Sequence, residues 1–442
     1  MRRLASGSTR LGRMVITRGG GFVSTSASVK TPTVHATSTN AKRTTAPTRR
    51  RIERVLHAST KTTTTSDAAS ANARRKVMVI TGPTGAGKSA LAIELASRLR
   101  GGGEIVSCDS VQIYNKLDVG SGKVTQSERA RVRHHMLDVR EVEEECDAAA
   151  YYDAAVECLD DIHARGKTAI VVGGSGMYLR WLVNGKPSAP KSTEESRRRA
   201  EADVSAAKER GGWKAAVDML RDAGDAHSAE TLSENDWYRL TRAYEIVTET
   251  GRDVRQFSST PDARFDFRCF FLSVPRLDLY RRIDDRVESM VCDGMMEEAA
   301  WMLDRGIAPG GNTAARSIGY RQAMEYLDRL RSDKATLGEE SLLAFLEETQ
   351  KATRSYAKRQ FTWFRGEPEG KYAWIDVSKD RESVARDVLD NFEREEHGGG
   401  GENLGDVSRE VENELKRYKV DVKRLKNPTE LQGVIDKIRG LL

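Results

Sequence analysis

The chain has 442 residues, 38% hydrophobic and 31% charged, and it lacks the run of about 18 apolar residues that a membrane-spanning helix needs. That length exceeds one simple core and points to two domains plus tails. The net charge of +6 is uneven: residues 1–75 carry 15 Lys/Arg against two acids, Glu53 and Asp67, leaving 57 bases and 64 acids for the rest, so a folded body that binds nucleic acid must do so through local patches.

Residues 1–75 are rich in Ser, Thr, Ala and Arg, and Met1 to Val15 can form a short basic amphipathic helix. This is the composition of a disordered organellar transit peptide, mitochondrial or plastid; a basic arm that touches nucleic acid is the other reading. Order begins at Lys76. Residues 77–81 (VMVIT) form a short β-branched run, read as a buried strand, and 89–100 follow with a helical pattern. A second strand at 104–114 leads into a loop, 148–164 read as a helix, and 168–172 (TAIVV) as a third buried strand ending at Gly173–Gly174. Strands alternating with helices predict a doubly wound parallel α/β sheet, with ligands beyond the carboxyl ends of its strands. Residues 190–262 are charged and helix-periodic, a helical insertion. The sheet resumes at 264–274, residues 276–365 are helical and basic in places, and 372–377 form a last strand. The resulting division is 76–189 and 263–377 for the two parts of the core, with 378–442 a charged tail containing a Gly linker at 398–401 and an amphipathic helical pattern from 405. The five cysteines form no CxxC pair, so neither a disulfide framework nor a zinc site is indicated.

The sharpest motif is Gly82-Pro83-Thr84-Gly85-Ala86-Gly87-Lys88-Ser89, which fits GxxxxGK[ST] between a strand and a helix. Its glycines let backbone N–H groups point inward, the helix N-terminus adds partial positive charge, Lys88 supplies a point charge, and the Ser89 hydroxyl can ligate Mg²⁺. Such a P-loop binds linked phosphates without specifying the reaction. Asp109, at the end of the second strand, faces the same crevice; it could hold a metal, accept a proton or cap the next turn. Three glycines in Gly173 to Tyr178 imply close approach of backbone to a ligand. The third strand does not end in the acid that holds the metal in an ordinary ATPase.

These blocks, TGPTGAGKSALAIELA, SCDSVQIY, VGSGKVT, RHHMLDV and VVGGSGMYL, resemble the tRNA dimethylallyltransferases, and the resemblance runs in order through residues 235–242, 281–287, 316–321 and 352–365. It covers about residues 76–377. The family moves a dimethylallyl group from its diphosphate to the exocyclic amine of the adenosine 3′ of the anticodon, in tRNAs that read codons beginning with U. The resemblance therefore implies a P-loop NTPase-like fold, tRNA anticodon stem-loop and dimethylallyl diphosphate as partners, Mg²⁺ as cofactor on Ser89, no membrane, and a monomer. It implies that Gly82 to Ser89 and Lys123 hold the diphosphate and that Asp109, Thr84 and Arg286 are catalytic. The tRNA contacts it implies are Asp109, Ser110, Gln112, Ser175, Arg197, Arg239, Arg242, Arg316, Gly319 and Arg321. Read on their own, Arg239 and Arg242 share a helix face and are more often solvated surface, and the basic–aromatic run from Lys351 to Arg365 is as consistent with a packed helix as with an RNA contact.

The sequence departs from the family at Val124 and Arg133, where Pro is usual, and has GGSG for the commoner GGTG. No cysteine follows Cys292, so the Cys/His finger of many eukaryotic members is not expected. His134–His135 lack neighbouring ligands and are read as packing. Two other functions remain open: prenylation of free adenine nucleotides, in which a Lys usually follows the acid where this chain has Ser110, and a P-loop nucleotide kinase or ATP-dependent switch.

Overall fold

The structure is a computed structural model that describes residues 74–395, 397 and 408–442. The expected transit segment, apart from its last two residues, and the Gly linker at 398–401 lie outside them. In chain order the first half contains β1 (Arg75–Thr81), α1 (Lys88–Arg98), β2 (Gly103–Cys108), α2 (Gln126–Arg131), β3 (His134–His135), α3 (Ala148–Ala164), β4 (Thr168–Gly173) and α4 (Gly176–Asn184). Three helices follow, α5 (Glu194–Asp222), α6 (Ala226–Thr231) and α7 (Trp237–Thr250). The second half adds β5 (Phe265–Ser273), α8 (Arg276–Asp293), α9 (Met295–Asp304), α10 (Tyr320–Ser332), α11 (Glu339–Arg365), β6 (Tyr372–Asp376), α12 (Arg381–Glu393), α13 (Arg409–Arg417) and α14 (Pro428–Gly440).

The strands form one parallel sheet in the order β3-β2-β4-β1-β5-β6. Val77 to Ile80 are fully buried, which explains the uninterrupted apolar run: a central parallel strand has no solvent face. Val77 lies opposite Ala169 of β4 and Phe267 of β5. The chain leaves β1 toward β2 on one side and resumes at β5 on the other, so the crevice opens over the end of β1. α1 packs on the sheet through Leu91, Ala92, Leu95 and Ala96. The second strand stops at Cys108, earlier than its apolar pattern suggests, because the Asp109 carboxylate turns the chain there. The two-residue β3 escapes sequence reading because its partners are distant in the chain: His135 Nε2 lies 2.7 Å from Glu104 of the neighbouring β2, and Arg165 binds the same carboxylate.

The inserted helices carry their own apolar cluster, including Val204, Leu220, Leu240 and Val247, with Trp213 and Trp237 edge-to-face at 5.1 Å. α5 breaks at Gly211–Gly212, where Gly212 takes φ 65°. The C-terminal residues form two helices joined by an extended stretch, where the sequence suggests one helix. Leu431, Val434, Ile435 and Ile438 of α14 are buried in the main core.

Candidate active site

Three loops at the carboxyl ends of β1, β2 and β4 converge with α8 and α11 around a cleft of about 400 Å³. After β1, Gly82, Gly85 and Gly87 all take positive φ, the conformation that a tight phosphate loop needs and that glycine supplies without strain. A Cβ on Gly82 would also lie 2.8 Å from the Leu272 carbonyl, so glycine is required twice over at that position. The Lys88 ammonium turns back under the loop and donates to the carbonyls of Gly82 (3.0 Å) and Pro83 (2.9 Å). Burial lowers the Lys88 pKa to about 8, Asp109 opposing and Arg286 adding to the fall. The Ser89 hydroxyl, in the first turn of α1, has no hydrogen-bond partner among the described residues.

Asp109 is divided in its duties. Oδ1 accepts from the N–H groups of Val111 (2.9 Å) and Gln112 (3.2 Å), fixing the turn after β2, while Oδ2 accepts no hydrogen bond among the described residues. Its charge acts on Lys88 of α1, Arg286 of α8 and Tyr356 of α11, so groups from three helices converge on one carboxylate. Burial lowers the Arg286 pKa against the pull of Asp109, and it raises the Tyr356 phenol with Asp109 reinforcing the rise. From β4, the Ser175 hydroxyl accepts from Ser110 N at 3.1 Å, joining two loops at the floor of the cleft.

The apolar side of the cleft consists of Val287, Met290, Met295 and Ile318, and Arg316, Gly319 and Arg359 lie at its border. The lining therefore divides by chemistry between cations, Arg286 with Arg316 and Arg359, and branched and thioether carbon from Val287, Met290, Met295 and Ile318. A ligand with a polyanionic head and a short hydrocarbon tail fits that division.

The comparisons narrow the reading. The family model described as IPP transferase matches residues 112–367. The chain belongs to the IPP transferase family. It is 42% identical over 355 residues to tRNA dimethylallyltransferase 9 of Arabidopsis thaliana, covering 73% of this chain and 76% of that one. It is 38% identical over 319 residues to the tRNA dimethylallyltransferase of Protochlamydia amoebophila, covering 72% of this chain and 88% of that one. Among solved structures, the full-length tRNA isopentenylpyrophosphate transferase of Bacillus halodurans aligns with TM-score 0.50 and 29% identity over 78% of this chain and all of that one. A eukaryotic dimethylallyltransferase acting on tRNA shares the fold at TM-score 0.57 and 24% identity, covering 78% and 87%.

Within this transferase the structure sorts the residues expected from sequence. Thr84, Asp109, Ser110, Ser175, Arg286, Arg316 and Gly319 all line the cleft. Lys123, expected among the diphosphate ligands, is elsewhere: its ammonium donates to Tyr114 O (2.5 Å), Asp118 (2.8 Å) and Asp138 (2.5 Å), and its side chain is 1% exposed. With every N–H engaged, it closes the 114–123 loop in place of facing a ligand. Gln112, expected at a base edge, instead donates to the Ser121 and Gly122 carbonyls and braces that same loop. Arg242 is tied within the inserted helices to Glu245 and the Pro190 carbonyl, both at 2.5 Å, so it holds the root of the insertion. Arg197, Arg239 and Arg321 are exposed, away from the cleft lining.

Sequence reading gave no role to Gln360 and Arg359, and it left Tyr356, on the same helix, open between packing and RNA contact. Gln360, 5% exposed, accepts from Thr84 N at 2.9 Å and donates to Gly174 O at 3.1 Å, clamping the β1 loop to the β4 loop. With Ala86 N donating to Pro83 O at 3.2 Å, two amides of the phosphate loop are thus already occupied. Replacing Gln360 by Leu strands the buried Gly174 carbonyl and frees the half-buried Thr84 N–H, and urea unfolding should show a loss of about 1–3 kcal/mol. An unchanged midpoint would mean that the clamp contributes nothing to the fold.

Proposed function

We propose that the chain transfers a dimethylallyl group from dimethylallyl diphosphate to the exocyclic amine of the adenosine 3′-adjacent to the anticodon in tRNAs that read U-starting codons, releasing diphosphate. The observation that carries this reading is the free Oδ2 of Asp109, whose charge acts on Lys88 and Arg286, in a cleft that Met290 and Met295 also line. The relatives named above support the substrate class.

The base leaves the RNA stack to reach the cleft, because its amine is inaccessible otherwise to a carboxylate set on the cleft lining. The amine lone pair attacks C1 of the donor, the C1–O bond breaks, and its electrons pass to the diphosphate. Lys88, Arg286 and the free loop N–H groups stabilise that growing charge. The amine proton passes to Asp109 Oδ2. Mg²⁺ would be held by the Ser89 hydroxyl and diphosphate oxygens, a sparse protein shell of the kind this ion accepts, and it would neutralise leaving-group charge. The exposed Arg239, Arg321 and Arg197 serve the RNA backbone. Residues 1–75 serve as the organellar targeting segment, in keeping with their excess of 15 bases over two acids.

The test offers purified residues 76–442, with Mg²⁺ and dimethylallyl diphosphate, either unmodified tRNA or AMP. Prenyl adduct on the anticodon stem-loop is expected, with AMP a poor acceptor because Ser110, not a Lys, follows Asp109. Adduct on AMP alone would favour nucleotide prenylation, and ATP turnover without adduct would favour a kinase or switch.

A further inference from the structure

α8 works on two sides. Arg286, Val287 and Met290 face the cleft, while Asp284, Asp285 and Glu288 face the C-terminal residues, which lie beyond the family match ending at 367. Tyr418 donates its hydroxyl to Asp284 Oδ2 at 2.7 Å. Lys423 reaches Asp285 at 2.6 Å, and both oxygens of Glu288 accept the Lys423 N–H at 3.1 and 3.0 Å, with Leu425 N adding a bond of 2.8 Å. Asp284 and Glu288 are each 2% exposed, so these are interior contacts that water cannot replace.

Asp284 also binds across to α11. Its Oδ1 pairs with Arg354, and its backbone carbonyl accepts from Gln350 at 3.1 Å. Arg354 lies between Thr353 and Tyr356, two of the α11 residues that line the cleft. α14 closes the arrangement by packing against both α8 and α11. One buried carboxylate therefore joins the C-terminal segment, the helix that carries Arg286 and the helix that carries Tyr356. Burial holds its pKa above the ordinary carboxylate value, with Tyr418 and Arg354 opposing the rise.

We propose that residues 418–425 form a positioning strap which, through Asp284 and Glu288, fixes α8 at the rotation that presents Arg286 to the diphosphate. The proposal rests on the reading of Arg286 as a diphosphate ligand. Tyr418, Asp284 and Glu288 are positioning residues, since none lines the cleft. A strap of this kind matters because a cation displaced by a fraction of an ångström loses much of its hold on a developing charge.

The experiment is a double-mutant cycle in the full chain, with inorganic pyrophosphate as probe and its affinity read by calorimetry. Tyr418→Phe, which removes one hydroxyl, should weaken pyrophosphate by about three- to tenfold, in the range of coupling between linked sites. Its thermal midpoint should fall modestly, because Asp284 loses an interior partner, so the double mutant and not the midpoint separates positioning from loss of fold. In an Arg286→Ala background the same substitution should cause no further loss. Glu288→Gln gives an independent arm: removing an acid should tighten anion binding by charge alone, whereas a loosened strap weakens it. Losses that multiply in the double mutant, or a Tyr418→Phe protein that binds like the parent, overturn the strap. An Arg286→Ala protein with parental pyrophosphate affinity overturns the diphosphate reading, and the strap's role with it.

Discussion

Replacing Asp109 by Asn is expected to lower the rate of prenyl transfer by about 10²- to 10⁴-fold, the usual contribution of a positioned proton acceptor. Asn is the informative choice because the two carboxylate oxygens do different work. Its Oδ1 can still accept from Val111 N and Gln112 N, so the turn after β2 survives. Its amide replaces the free Oδ2 and cannot take a proton. The thermal midpoint should therefore hardly move. Pyrophosphate affinity at pH 7 should be equal or higher, since a negative charge beside Lys88 and Arg286 has been removed. Asp109→Ala should add a loss of stability, because the turn loses its acceptor. Single-turnover transfer to an anticodon stem-loop and calorimetry with pyrophosphate separate these outcomes. If Asp109→Asn lost transfer and pyrophosphate binding in equal measure, Asp109 would be a metal or structural residue.

The same carboxylate marks how far the sequence could be read. Capping and catalysis were both open for Asp109, and the structure gives Oδ1 to capping while leaving Oδ2 to the cleft. The sheet was legible because buried parallel strands leave continuous apolar runs, as at 77–81 and 168–172, and the P-loop because its chemistry is local in sequence. The partners of Lys123, Gln112 and Arg242 were not legible. Lys123 finds Asp138 fifteen residues away, and Arg242 finds Pro190 fifty-two residues away. A cation's identity says nothing about which carboxylate reaches it first. Gln360 was overlooked for a similar reason: it clamps loops 276 and 186 residues distant. A neutral amide within a basic–aromatic helix carries no local sign of that work. The tail from 405 read as a charged, solvated or partner-binding helix because its charges dominate its composition, yet two of those charges, Lys423 and Arg424, meet acids on α8.

The affinity for pyrophosphate should fall as pH rises through about 8, because that is where the free protein releases the Lys88 proton. The bound anion holds the proton more tightly, so binding takes up a proton between about pH 8 and the ordinary lysine range, and affinity drops up to tenfold per pH unit there. Stability moves the opposite way. The unfolded chain, with a lysine pKa of 10.5, binds this proton more strongly than the unliganded fold, so the Lys88 contribution favours folding increasingly as pH climbs from 8 toward 10.5. Opposite slopes for binding and for unfolding across one pH window would identify a single buried ammonium held in wait for an anion. Lys88→Met should lower transfer by about 10²- to 10³-fold, comparable to loss of one preorganised donor to a developing oxyanion, and should flatten the binding slope. Lys88→Arg should flatten it as well, since a guanidinium keeps its charge, but without restoring the full rate: its planar fork cannot occupy the point between the Gly82 and Pro83 carbonyls that the ammonium fills. A slope that persisted in either variant would assign the titration to another group. The loop's lysine would then act by shape and not by charge.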